Sequence, residues 1–511
     1  MGKKSAISAA IACILLVSLI VLIEHLSFGE NTKEQPFYVG VTYGGNNVQD
    51  AKTLIDKVSN YINLFVLQSG FLRVNNQAIN EIGDYATAKG LHFAAISSHT
   101  LVNATWISTA ELRWGKMFAG VYFEDEPGGK MLDGQTEFLV KNNNLIEDVS
   151  SNGAPANTSY ERITKSSNGE IWYNDGTNTD TTFYPNGTIT VNKTNDTDIA
   201  WYGNTNANKV QFILFNTTTY DPNGSITIRE QLMKITNGGS AVIFTDIISD
   251  NWYTMENGSD CIAQVETYQQ VKNKNPIPDY NTAANLYVNK TREPIENLRS
   301  RYNLSKSSFP IFTADYGLYW WDYQSGYDMV LAELGWNNSV AQEIALVRGA
   351  ANLQGKSWGT ILTWKYTQAP YLADGEEIFD QMKTSYENGA QYVILFNYAE
   401  NMSGPYGTLQ EQHFQALERF WNEVVQNPTI VHGGVKASAA LVLPKDYGWG
   451  MRNPSDIIWG IWGPNSTSAQ IWSQMQSKLE QYGTKLDIVY GESGHSLAGK
   501  YAHIFIWNKP S

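Results

Sequence analysis

Short runs of apolar, β-branched and aromatic residues alternate along the chain with longer segments whose apolar residues recur at helical spacing. Strands that alternate with helices form parallel sheets, because each helix carries the chain back to the start of the next strand. Eight strands are predicted, at residues 38–43, 64–68, 92–97, 120–125, 310–314, 329–333, 359–363 and 392–397. Eight such units predict an α/β fold of the closed (β/α)8 barrel type, covering residues 31–149 and 261–430.

The alternative architecture is an open, doubly wound parallel sheet, which binds phosphate groups at a glycine-rich turn after its first strand. Here the first predicted strand is followed by the sequence GGNN at residues 44–47, which lacks the Gly-x-Gly-x-x-Gly spacing. The sequence therefore favours the closed barrel.

The alternation breaks between residues 150 and 260, where Asn, Thr and Gly are frequent. Turn sequences such as NDG at 174–176 and PNG at 185–187 separate short strand-like runs, a pattern typical of antiparallel hairpins. Seven Asn-x-Ser/Thr glycan acceptor sequences lie between Asn157 and Asn257. We expect an inserted, glycan-decorated β-rich domain, acting either as a binding module or as a surface insertion without its own activity.

Strand and helix patterns resume at residues 436–511, with predicted strands at 439–443, 486–489 and 503–507 and a helix at 468–482. This small α/β segment resembles the flavodoxin-like domain of some barrel β-galactosidases, which is itself similar to class I glutamine amidotransferases. The amidotransferase nucleophile is a cysteine, and this chain has none after Cys261. The resemblance therefore implies a structural domain, or one that forms a homo-oligomer.

The N-terminus carries a membrane-targeting pattern. Lys3 and Lys4 precede an apolar run at residues 6–23, which is near the minimum length of a membrane-spanning helix. No small-x-small cleavage sequence follows, so an uncleaved signal anchor at residues 1–30 is favoured over a cleaved signal peptide. Lys3 and Lys4 are expected to stay in the cytoplasm, because positive charges flanking a membrane span remain on that side. The protein would then be a single-pass cell-membrane protein whose bulk is extracellular.

The amino-acid composition restricts the classes of molecule that this protein is expected to bind. The net charge is −14 and no basic run occurs, which argues against nucleic acid. The 2 cysteines and 7 histidines show no metal-ligand spacing, so neither a metal nor another cofactor is expected. Most of the 16 Trp and 29 Tyr belong in a core, but a surplus in loops suits stacking on sugar rings and favours a carbohydrate substrate.

Barrel enzymes place the active site at the carboxyl ends of their strands, an end called the mouth below. Polar and aromatic residues follow the predicted strands at this end, and fewer acids occur at the other. The candidate catalytic residues are Glu126, Glu333 and Glu124. The candidate substrate-binding residues are Tyr43, Gln68, His99, Asp315, Tyr319, Trp320, Trp321, Trp336, Trp364, Lys365, Tyr398 and Glu400.

Two of these groups carry specific expectations. Three consecutive large rings cannot all be buried in one direction, so at least one of Tyr319, Trp320 and Trp321 is expected to face the mouth. Lys365 is expected either to pair with a mouth carboxylate or to bind an anionic sugar.

The strongest chemical element is the sequence FAGVYFEDEP at residues 118–127. Side chains alternate along a strand, so Tyr122, Glu124 and Glu126 are predicted to share one face. Two neighbouring carboxylates repel, and the pKa of one rises, as a general acid at neutral pH requires. The alternative is a structural role in which Glu126 caps the turn that follows it.

Asp125-Glu126-Pro127 resembles the Asn-Glu-Pro that ends strand four in the largest clan of TIM-barrel glycoside hydrolases. Glu124-x-Glu126 is similar to the Asp-x-Glu of chitinase-type barrels. Both resemblances imply that Glu126 is the general acid/base. A second carboxylate is expected across the mouth. Glu333 is favoured for it, ahead of the acids that follow strands eight and five.

The resemblances leave two mechanisms open. The clan places its nucleophile on strand seven, where this chain has Trp364, Lys365 and Tyr366 and no acid. A chitinase-like, substrate-assisted route would need only Glu126 and Glu124.

We therefore expect an extracytoplasmic, membrane-anchored glycoside hydrolase acting on polysaccharide or glycoconjugate sugars. Two alternatives stand beside it. One is a non-catalytic cell-surface glycoprotein that binds glycans or builds an envelope layer, and the other is an envelope biosynthesis enzyme acting on lipid-linked sugars. Carboxyl groups of Glu126 and Glu333 lying roughly 5–10 Å apart across one cleft would favour hydrolysis.

Overall fold

A computed structural model describes residues 37–98, 104–133, 278–304, 309–336, 338–398, 404–492 and 496–509, together with the strands and a few turn residues between 138 and 267. The predicted signal anchor at residues 1–30 lies outside this part of the chain. Among the helices that are described, none is long and apolar enough to cross a membrane.

Eight parallel strands close into a barrel, as the alternation predicts. They are β1 (Tyr38–Tyr43), β2 (Leu64–Leu67), β3 (His92–Ser97), β4 (Phe118–Phe123), β5 (Ile311–Asp315), β6 (Met329–Leu334), β7 (Ser357–Leu362) and β8 (Tyr392–Leu395). Each strand pairs with the next in sequence, and β8 pairs with β1. The closed barrel is confirmed, and the predicted strand limits differ from the observed ones by at most two residues.

Alternate residues of the strands fill the barrel interior. The large rings of Tyr122, Phe312 and Tyr392 lie inside it, with Tyr122 and Phe312 stacked at a ring-centroid distance of 5.4 Å. Gly40 and Gly359 allow close approach between neighbouring strands, since a Cβ atom would lie 2.6 Å from Leu64 at the first position and from Leu331 at the second. The interior is therefore a packed core, and the mouth is where polar groups can gather.

Helices connect the barrel strands and cover their outer faces. They are α1 (Val48–Val58), α2 (Asn76–Ala88), α3 (Trp106–Trp114), α4 (Pro127–Leu132), α5 (Tyr280–Arg301), α6 (Tyr319–Gln324), α7 (Val340–Gln354), α8 (Gly375–Glu387) and α9 (Glu411–Phe420), which continues as a π turn over Trp421–Val425. Short 3-10 turns occupy Leu72–Val74 and Gly115–Met117. Polar N-caps fix several helix starts. The side chain of Asn47, for example, accepts two backbone N–H groups at the start of α1.

Two antiparallel sheets occupy the sequence between α4 and α5. One contains Phe138–Lys141, Asn144–Asp148 and Val265–Thr267. The other contains Glu161–Lys165, Ile171–Asp175, Thr179–Phe183, Ile189–Thr194, Ala200–Tyr202, Lys209–Tyr220, Ser225–Gly238 and Ala241–Glu256. The antiparallel pairing agrees with the hairpin signals in the sequence. That residues 150–260 form a glycan-decorated domain of their own stays a prediction.

The C-terminal segment contains three parallel strands, β9 (Ala439–Leu443), β10 (Leu486–Tyr490) and β11 (His503–Ile506), in the order β10-β9-β11. Helix α10 (Ser466–Tyr482) and a 3-10 turn (Gly483–Lys485) connect the first two. This is the mixed α/β pattern that the sequence indicates. The flavodoxin-like identity of the segment and its role in oligomers stay predictions.

A buried ion pair joins this segment to the barrel. Arg348 of α7 donates from Nε to Asp487 Oδ1 of β10 at 2.7 Å, and both side chains are almost completely buried. The guanidinium also donates to the backbone oxygens of Thr484 and Leu486 and to the side chain of Asn388. Every part of this cation therefore has a partner, which is the condition for burying a charge.

Candidate functional site

Three inward-facing side chains form the floor of the mouth. Val66 of β2 and Leu331 of β6 belong to the barrel core. Alternation then directs Gln68 and Glu333, two positions further along, into the mouth. Tyr122, near the end of β4, also lies in the core and is fully buried.

Glu126 reaches the mouth by an irregular backbone path. Strand β4 ends at Phe123, and both Glu124 and Glu126 have left-handed backbones, with φ of 56° and 53°. Left-handed residues break the alternation of a strand. The prediction that Tyr122, Glu124 and Glu126 share one strand face is therefore wrong.

The backbone of Glu126 is tied to the neighbouring strand, because its N–H donates to the carbonyl oxygen of Ala314 at 2.9 Å. Glu126 precedes α4, but its side chain makes no capping hydrogen bond there. The structural alternative, in which Glu126 caps the following turn, is therefore wrong, and its carboxyl group is left for other contacts.

The carboxyl groups of Glu126 and Glu333 lie close enough for each to influence the pKa of the other. Two neighbouring carboxylates repel, so ionisation of both at once is disfavoured. Glu333 is 6% exposed, and its surroundings cannot solvate a second negative charge. The two groups therefore act as one coupled acid, as paired carboxylates do.

The surroundings explain why this pair retains its proton. Burial and the charge of Asp125 together raise the pKa of Glu126 to about 7, against the opposing effects of Lys130 and Glu333. Burial, followed by the charge of Glu126, also holds the pKa of Glu333 well above its usual range. At neutral pH one proton therefore stays between the two carboxyl groups.

A chain of hydrogen bonds lies beside Glu126 and Glu333. Gln68 Nε2 donates to the Tyr122 hydroxyl at 3.2 Å, and this hydroxyl donates in turn to Asp125 Oδ1. Lys130 Nζ donates to the backbone oxygen of Asp125. Within the described part of the chain, Gln68 Oε1 is buried without a hydrogen-bond partner. It can accept a hydrogen bond from a ligand hydroxyl.

Aromatic rings line the side of the mouth formed by β7 and β8. Trp364 packs against the barrel core, with its ring 5.2 Å from that of Phe396 and 6.0 Å from that of Tyr398. The loop after β6 adds Trp336, whose side chain is 45% exposed. Of the predicted substrate-binding aromatics, these three Trp and Tyr residues lie where a ring-shaped ligand could contact them.

The other aromatic candidates lie elsewhere. Tyr319, Trp320 and Trp321 are all at most 2% exposed. Trp320 and Trp321 pack against Tyr490 of the C-terminal segment, at centroid distances of 5.6 and 4.5 Å. The expectation that one of the three faces the mouth is therefore wrong. The C-terminal segment provides the second apolar surface that allows all of them to be buried.

Three further candidates have structural contacts. Tyr43 is buried, and its hydroxyl donates to the backbone oxygen of Asn47 at 2.8 Å. Lys365 pairs with Glu377 of α8 and not with a mouth carboxylate. Asp315 is fully buried and accepts backbone N–H groups. None of these three side chains contributes a free polar group to the mouth.

His99 and Glu400 lie outside the described residues, so their predicted roles stay predictions. Two residues near the pair, Asp125 and Lys130, are not among the candidate site residues, although the sequence places Asp125 at the end of the fourth strand beside Glu126. Lys130 is one helical turn after Glu126, and that spacing was the available signal for a cation close to the acid.

Comparisons with known proteins add no assignment. The chain matches no protein-family model, and no curated protein has significant sequence similarity to it. Among the described residues, no group of three or more His, Cys, Asp or Glu side chains is arranged to hold a metal ion.

Proposed function

We propose that this protein is a glycoside hydrolase acting on polysaccharide or glycoconjugate sugars, with the Glu126–Glu333 pair as its acid. The observation that carries the proposal is a pair of neighbouring carboxyl groups at the barrel mouth, where burial is the largest cause of the raised pKa of each. A general acid must be protonated near neutral pH and must lie where the leaving oxygen can reach it. The pair meets the first condition through burial and meets the second through its position at the mouth.

The reaction follows from this arrangement. The protonated member donates its proton to the glycosidic oxygen, so the C–O bond breaks and the leaving sugar departs as an alcohol. The other member, which is ionised before the proton is transferred, either attacks the anomeric carbon or removes a proton from the attacking water. Water supplies the oxygen and the hydrogen that complete hydrolysis.

The separation of the carboxyl groups constrains how substrate enters. Retaining glycosidases hold their carboxyl groups about 5 Å apart, and inverting enzymes hold them further apart. We propose that a sugar binds between Glu126 and Glu333 and holds the two carboxyl groups at such a separation. A sugar hydroxyl would then donate to Gln68 Oε1, which has no hydrogen-bond partner among the described residues.

The aromatic side of the mouth supports a second candidate function. Trp336, Trp364 and Tyr398 could bind a glycan without any reaction, as in a cell-surface binding protein. In that case the paired acids serve only the packing of the mouth. Membrane anchoring and an extracellular location belong to both proposals and rest on the N-terminal sequence pattern.

A glycan-panel assay separates the two functions. The full-length wild type is compared with Glu126→Gln, Glu333→Gln and Glu124→Gln, and with Glu343→Gln as a matched control. Glu343 is also a buried glutamate with a raised pKa, but it lies in the helix layer, where it accepts the hydroxyl of Tyr319. Hydrolysis lost by at least about 100-fold in the first two variants and kept in the control is the expected result. Equal rates in Glu126→Gln and wild type would reject Glu126 as the acid.

A further inference from the structure

The turn that presents Glu126 is held by a buried aspartate from the next strand. Asp315, the last residue of β5, has no exposed surface. Its Oδ1 accepts the backbone N–H groups of Gly129 and Tyr316 at 2.7 Å and that of Gly317 at 3.2 Å, and its Oδ2 accepts the N–H of Gly128 at 2.5 Å. One carboxylate thus binds four backbone donors.

These contacts fix the path of the chain directly after Glu126. The N–H groups at the start of a helix have no partner within it, and Asp315 satisfies those of Gly128 and Gly129 in α4. The fit depends on both glycines. A Cβ atom on Gly128 would lie 2.6 Å from a backbone oxygen, and one on Gly129 would lie 2.1 Å from the ring of Tyr316.

A second aspartate lies behind the first. Asp322 of α6 is fully buried, and its Oδ1 accepts the hydroxyl of Tyr287. Its Oδ2 meets no hydrogen-bond donor among the described residues. Burial and the charge of Asp315 raise the pKa of Asp322 well above its usual range. The pKa of Asp315 is also raised, to about 7, because burial outweighs its hydrogen bonds from the N–H groups of Gly128 and Gly129.

We propose that Asp315 is a positioning residue for the acid pair of the mouth. It holds the Glu126 turn against β5, and its buried negative charge helps the pair of Glu126 and Glu333 to keep its proton. The catalytic meaning of this role rests on the proposed function, but the role itself can be measured without a substrate.

The charged groups around Glu126 and Glu333 determine how far Asp315→Asn should change the pH at which this acid pair loses its proton. Asp125, Lys130 and Asp133 face Glu126, and the charge of Asp315 acts on Glu333. Removing one nearby negative charge makes ionisation of the pair easier. We expect Asp315→Asn to lower the pH at which the pair loses its proton by about one unit, the order expected for one neighbouring charge in a protein interior.

The test compares Asp315→Asn, Asp322→Asn and Asp487→Asn in the full-length protein. Asp487 is the matched control, because it is equally buried but is bonded to Arg348 at the C-terminal segment. Infrared absorption of protonated carboxyl groups is followed against pH. Subtracting the spectrum of the same protein with Glu126→Gln and Glu333→Gln isolates the acid pair. Hydrolysis of the glycan panel is measured in parallel.

The expected result is a lowered midpoint in Asp315→Asn and the wild-type midpoint in Asp487→Asn. Asp322→Asn should also keep the wild-type midpoint, because an asparagine amide can donate to Asp315 while its oxygen accepts from Tyr287. A wild-type midpoint in Asp315→Asn overturns the inference. A lowered midpoint in a protein whose wild type hydrolyses no glycan supports the positioning role and rejects the proposed function.

Discussion

Glu126→Gln should remove part of the pH dependence of stability. The pKa of Glu126 is about 7 in the folded protein, against an ordinary value of 4.5, and burial is the largest cause. The native state therefore binds the proton more tightly than the unfolded state does. The stabilisation from this proton is complete below pH 4.5 and is lost as the pH rises through about 7. The difference in pKa corresponds to about 3 kcal/mol.

Thermal unfolding of the full-length protein between pH 4.5 and 8 measures this loss. For a cooperative unit of roughly 300 residues, about 3 kcal/mol corresponds to a change of about 5 °C in Tm. Between pH 4.5 and 8, the Tm of the wild type should therefore fall by about 5 °C more than the Tm of Glu126→Gln. Asp322 and Glu343 also have raised pKa values, for which Glu126 is not among the causes, so their contributions cancel in the difference. The charge of Glu126 does raise the pKa of Asp315, so Glu126→Gln removes part of the contribution of Asp315 as well, in the same direction.

The control is Glu343→Gln, which should reduce the pH dependence of Tm while leaving the pKa of Glu126 unchanged. The coupling between the acids can then be tested with Glu333→Gln. In this variant Glu126 should keep its own pH dependence, because burial is the largest cause of its raised pKa, while the separate contribution of Glu333 is lost. Parallel pH profiles for wild type and Glu126→Gln would refute the raised pKa of Glu126.

Three further substitutions test separate parts of the structure. Gly129→Ala places a methyl group 2.1 Å from the ring of Tyr316, so Tm should fall by an amount equivalent to about 1–3 kcal/mol, and an unchanged Tm would contradict the close packing of the turn. Arg348→Met leaves Asp487 buried without its cation and should cost about 3–5 kcal/mol, measured by urea unfolding; a loss below about 1 kcal/mol would argue against the ion pair as the joint to the C-terminal segment. Trp364→Ala should raise KM for a hydrolysed glycan several-fold, equivalent to about 1 kcal/mol, with little change in kcat, and an unaltered KM would exclude this ring from substrate binding.

The barrel and part of its mouth could be predicted because both depend on local patterns. Strand and helix periodicities are set within ten to fifteen residues, and eight alternations leave few ways to bury both strand faces. Alternation also places Glu333 inward once Leu331 is assigned to the core. The same count along β5, with Phe312 and Ala314 in the core, directs Asp315 outward, so its predicted place in the mouth is not supported by the alternation.

The proton-sharing pair and the fate of the Trp residues depend on contacts between distant parts of the chain. Glu126 leaves the strand pattern because Asp315, which follows it by almost 190 residues, binds the N–H groups after it. Trp320 and Trp321 are buried because a segment near the C-terminus packs on them. The sequence by itself determined the barrel, its mouth and the presence of acids there. Only the tertiary structure decided which acids meet, because burial, charge and hydrogen-bond partners arise from residues far apart in sequence.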